Sequence, residues 1–119
     1  MSQRKVRLEH ALRETLTELI AADVRDPRVL APALLTITRV ELNVDMAVAR
    51  CYVSIVGDDA TRDAALEGLT KAAGFLRGPV ARRLQLQHAP ELRFAIDPGG
   101  DMADKIAAIL REDEEKRRS

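Results

Sequence analysis

The residues of this chain whose types and spacing could do chemistry are mostly cations. Lys71, Arg77, Arg82 and Arg83 stand in one short stretch, Lys71-Ala72-Ala73-Gly74-Phe75-Leu76-Arg77-Gly78-Pro79-Val80-Ala81-Arg82-Arg83-Leu84, and Arg4, Lys5 and Arg7 form a second group. Lysine meets phosphate as a point charge, and arginine meets it through a planar fork of donors. A glycine among such residues lets another backbone come close. Side chains suited to catalysis are sparse. The single cysteine, Cys51, reads as a small buried hydrophobe, and His10 and His88 have no second ligand at metal-binding spacing. No glycine-rich phosphate loop and no nucleophile with a base is present. The expectation is a binding protein, not an enzyme, with no cofactor and no metal.

The elements that position the cations follow from periodicity. Leu66, Leu69, Ala72 and Ala73 recur at helical spacing, and so do Leu76, Val80 and Leu84. Pro79 inside one long helix would delete a backbone bond and clash with the preceding turn, at ~3 kcal/mol. The pattern therefore predicts helix, kink, helix, with a junction at Ala72–Gly74 and the second arm running to about Leu86. Gly74 has two readings. It serves either a close crossing of two helices or the close approach of a phosphate or backbone.

The remaining elements read in order. Leu8, Leu12, Leu16, Leu19, Ile20 and Val24 trace a helix over 5–24, stopped by Asp26-Pro27. A loop through Pro32 leads to a strand over 34–44. Its apolar phase changes from Leu35 and Ile37 to Val40, Leu42 and Val44, which predicts a bulge near Thr38-Arg39. A turn at Asn43–Asp45 leads to a returning strand over 46–56, with Ala49, Cys51, Val53 and Ile55 on one face. Asp58-Asp59 reads as turn or helix cap. Leu92, Phe94 and Ile96 mark a third strand, and a last helix is expected from Asp101. The expected core includes Leu42, Cys51, Val53, Ile55, Leu66, Leu69, Phe94 and Ile96.

Composition bounds the class. The chain has 119 residues, 46% of them hydrophobic and 32% charged, enough for one domain and too few for two. The domain is expected over 1–110, followed by a charged tail over 111–119. Aromatic content of 3% with no Trp argues against a single-strand platform built from several stacking rings. No apolar run would span a bilayer and no secretory signal is seen. With a lone cysteine, this favours the cytoplasm.

Net charge is +0, but its distribution is uneven. Residues 1–13 carry Arg4, Lys5, Arg7 and Arg13 against Glu9 alone, and residues 71–93 carry five cations against Glu91 alone. Residues 97–115 are predominantly acidic. A neutral chain can thus present a basic face, although solvated helix faces give the same pattern.

Several segments together resemble the ribosome-binding factor A family. They are Val24-Arg25-Asp26-Pro27-Arg28, Val40-Glu41-Leu42 with Asp45, Ala49-Arg50-Cys51-Tyr52-Val53-Ser54, Ala72-Ala73-Gly74-Phe75-Leu76-Arg77, and Pro90-Glu91-Leu92-Arg93-Phe94 with Asp97. The resemblance implies an α+β fold of the type II KH-like kind, a three-stranded sheet with its helices on one face. In that fold Ala72 to Gly74 stands where ordinary KH domains carry a Gly-x-x-Gly clamp. It also implies a monomer that binds free, immature small (30S) ribosomal subunits near the 5′ region of 16S rRNA. There it would assist late maturation and processing without catalysis, with an assembly GTPase promoting release. The residues expected to touch RNA are Lys71, Ala72, Gly74, Arg77, Arg82 and Arg83, with Arg4, Lys5 and Arg7 as a second contact. Gly78-Pro79 is unusual for the family, and Gln85 and Gln87 stand where arginine is common. The competing function is a KH-like module that binds a protein and has no RNA role.

Overall fold

Asp26 begins the fold's most local device: its side chain caps a four-residue helix where the sequence pattern predicts loop. The structure, a computed structural model, describes residues 3–32 and 34–98. The elements are α1 (Gln3–Asp23), α2 (Pro27–Leu30), β1 (Leu34–Leu42), β2 (Val48–Val56), α3 (Asp59–Leu84) and β3 (Glu91–Ile96). The expected last helix from Asp101 and the tail over 111–119 lie outside the described residues. In α2, Asp26 Oδ1 accepts from the Arg28 backbone N–H at 2.9 Å, and Pro27 opens the helix where no N–H is needed.

The sheet order is β1-β2-β3, with β1 antiparallel and β3 parallel to the central β2. The register breaks between Ile37 and Arg39, where the shift in apolar phase placed the bulge. The strands are shorter at the turn than expected. Asn43 accepts the Val48 N–H on its side-chain oxygen at 2.9 Å and Met46 takes a φ of 59°, so 43–47 is turn. Thr38, at the bulge, donates its hydroxyl to Asp97 Oδ2 at 2.7 Å, and the Asp97 N–H donates to the Val53 carbonyl. The chain leaving β3 is thereby tied across β2 to β1.

α1 and α3 cover one face of the sheet. Leu12, Leu16, Cys51, Val53, Leu69, Leu76 and Val80 are fully buried between them, with Leu42, Ile55, Leu92 and Phe94 alongside. Leu66 and Ile96, expected in the core, are only partly buried at its margin. Arg39, Glu41, Arg50 and Arg93 are exposed on the opposite face, where the Arg39 guanidinium lies 4.2 Å from the Tyr52 ring centre.

The expected break at Ala72–Gly74 is corrected. α3 is one helix from Asp59 to Leu84 with Pro79 inside it, and no described glycine has a positive φ. Leu69, Leu76 and Val80 are fully buried on one stripe, with Ala72 and Ala73 partly buried between them, so packing on both sides of the expected break outweighs the proline. The Asp58 side chain accepts from the Thr61 N–H at 2.8 Å and caps the start. Gln85 ends the helix in the left-handed conformation at φ 55°.

Candidate nucleic-acid interface

With 3.6 residues per turn, the buried stripe of α3 fixes where every other side chain of that helix points. Opposite Leu69, Leu76 and Val80 lie Lys71, Gly74, Phe75, Gly78 and Arg82, all of them exposed. Arg77 lies to one side of this line, Arg83 follows Val80 by three residues on the side that faces α1, and each is tied to the body of the fold. Arg77 donates to the Ala89 carbonyl at 2.9 Å, and Arg83 pairs with Glu18 of α1. Both are surface contacts of small strength, so the two guanidiniums are oriented without being buried. Arg82 has no partner among the described residues. One continuous helix therefore carries Lys71, Ala72, Gly74, Arg77, Arg82 and Arg83, with Ala72 half-buried against the core.

At Gly74 a built Cβ meets nothing within 4 Å among the described residues, so no described helix crosses at this point. The glycine of α3 that another element packs against is Gly68, where a Cβ would come within 2.9 Å of Val29 Cγ2 and 3.2 Å of Asp26 Oδ2. Gly68 seats α2 against α3. Its neighbours are distant in sequence, so nothing local signalled it.

The second cluster stands apart on α1, where Arg4 and Arg7 are exposed on the first turns and Lys5 is half-buried. A few residues on, Glu9 Oε2 accepts the Leu42 N–H of edge strand β1 at 2.7 Å. This acid is a structural tie as well as a counter-charge.

Beside the outward line, the C-terminal end of α1 and the start of α2 form a groove of about 330 Å³ against α3. Val24, Arg25, Asp23, Lys71, Ala72 and Phe75 are among its walls. Asp26 also borders it, but this carboxylate is held by Arg28, with Nη2 2.6 Å from Oδ2. The Arg28 bond lowers Asp26 to about 2, well below the ordinary 3.8. Burial pushes the Cys51 thiol up to about 12, so it stays neutral and inert, the small core residue its position suggested.

Helices on one face of a three-stranded mixed sheet, with a basic helix facing outward, define an α+β domain of the KH-like class. The chain belongs to the ribosome-binding factor A family, whose model matches residues 4–110. Ribosome-binding factor A of Desulforamulus reducens is 40% identical over 94% of this chain and 91% of its own length. The solution structure of a putative ribosome binding factor A from Thermotoga maritima superposes with a TM-score of 0.70 at 38% identity, covering 80% of this chain and 88% of that one. A homology model of the Thermus thermophilus factor, fitted into a cryo-EM map of a 30S complex, gives a TM-score of 0.65 at 32% identity. It covers 82% of this chain and 99% of that one.

Proposed function

We propose that this chain binds free, immature 30S subunits through the outward face of α3 and assists late maturation and processing of 16S rRNA near its 5′ region, by RNA binding alone. The observation that carries the reading is the exposed line of Lys71, Gly74 and Arg82, with Arg77 and Arg83 exposed on the same helix, in a chain whose net charge is +0. Cations concentrated on one helix give a neutral protein a local field suited to phosphate. Family membership and the 30S complex of a relative support the choice of partner.

The contacts divide by chemistry. Lys71 and Arg82 meet phosphates directly, and Arg77 and Arg83 exchange weak internal contacts for charge-assisted ones. Gly74 leaves the helix surface bare, so RNA backbone can lie against it. Arg4, Lys5 and Arg7 supply a second, separate contact. The factor acts as a monomer by population shift. It binds one rRNA conformation more tightly than another, and it leaves when the mature surface no longer fits, with an assembly GTPase promoting release.

Sedimentation of cell extract tests the reading. The protein is expected to travel with free small subunits. If it remains at the top of the gradient in cells accumulating immature subunits, the reading is wrong.

A further inference from the structure

Phe75 is out of place for a core residue. The chain has two phenylalanines, one tyrosine and no tryptophan. Phe94 is 9% exposed in the core and Tyr52 lies under the Arg39 guanidinium, whereas Phe75 is 59% exposed. The other large exposed aliphatics Leu30, Leu34 and Val56 sit near the α2–β1 end of the fold, and Val44 is in the turn. Phe75 instead stands on the outward line of α3, one turn from Lys71, and walls the groove together with Val24, Ala72 and Arg25. Helical side chains lean toward the N-terminus, so the residues that could cover the ring are those three and four positions on. Gly78 has no side chain and Pro79 only a short ring, and Phe75 stays 59% exposed.

We propose that this groove takes an unpaired RNA base stacked on the Phe75 ring. The proposal rests on reading α3 as the RNA-facing helix and adds that part of the RNA bound there is single-stranded. The chemistry around the ring is matched to a nucleotide. Lys71 and Arg25 stand where the flanking phosphates would lie. Asp23, which has no partner among the described residues, offers an acceptor for a base N–H or a ribose hydroxyl. Asp26 also borders the groove as a carboxylate held by Arg28, close enough to Lys71 for the two charges to interact. An aromatic ring beside cations accepts any base through its π-face, so the site reads single-strandedness more than sequence.

The test uses purified 30S subunits as the probe. Phe75→Leu keeps an apolar side chain and is expected to melt like the wild type, because the ring is mostly outside the core. It should weaken subunit binding by roughly 5- to 150-fold, the range for losing one base–aromatic stack, while leaving the slope of affinity against salt unaltered. Phe75→Trp should bind like the wild type, and its indole, the one tryptophan in the chain, should be quenched when subunits are added. Wild-type affinity for Phe75→Leu would overturn the proposal. The RNA-facing reading of α3 would stand in that case if Arg82→Gln still weakened binding and flattened the salt slope. Weakened Phe75→Leu binding with Phe75→Trp emission moving to the blue and not quenched would also overturn it, showing an apolar protein side chain in the groove.

Discussion

Gly68 and Gly74 lie on the same helix and should respond oppositely to one added methyl. At Gly74 the Cβ meets nothing, so Gly74→Ala gains helix propensity of about 1 kcal/mol and should raise the melting temperature. Its binding to small subunits should weaken if, as proposed, the RNA backbone approaches the helix at this point. At Gly68 the methyl collides with Val29 and Asp26, and overpacking at about 1–3 kcal/mol outweighs the same gain. Gly68→Ala should therefore melt lower, and the reverse order in calorimetry would refute both placements. Asp26 makes a second residue-scale prediction. A carboxyl lowered to about 2 contributes stability that is present above its ordinary value of 3.8 and is lost as pH falls toward 2. Across that window the wild type should lose melting temperature faster than Asp26→Asn. Parallel curves would show that the Arg28 pair contributes nothing.

Among the elements, α3 departs furthest from its sequence pattern. Pro79 argues locally for a break, and the helix continues because Leu69, Leu76 and Val80 all reach the same core. Pro79→Ala should restore the bond to the Phe75 carbonyl and raise stability, by up to about 3 kcal/mol. A lower melting temperature would mean that packing of the proline ring matters more than the missing bond. The bulge in β1 was legible because the change of apolar phase is a local signal, and the burial of alternate β2 residues followed from the same logic. α2 was not legible as a helix. Four residues leave no periodicity, and its one mark, Asp26-Pro27, is equally a stop signal for α1. The role of Gly68 was hidden for a different reason, since it depends on what α2 places opposite.

Taken as a whole molecule, the protein is two-sided. One face of the sheet is closed by α1 and α3, and Lys71 and Arg82 of α3 project away from that core. The basic composition of the stretch was evident in the sequence. What was not evident is that Arg77 and Arg83 are each held by a partner while Lys71 and Arg82 stand outward, because that division depends on the helix remaining unbroken past Gly74. Binding of purified 30S subunits by wild type and by the Arg77→Gln, Arg82→Gln, Arg83→Gln triple variant, measured across a range of salt, tests the central claim most directly. The triple variant should bind more weakly, with a log–log salt slope flatter by roughly one unit per lost phosphate contact, and should melt close to wild type because surface ion pairs contribute little. Undiminished binding with an unchanged slope would contradict that claim and move the RNA-facing surface away from α3.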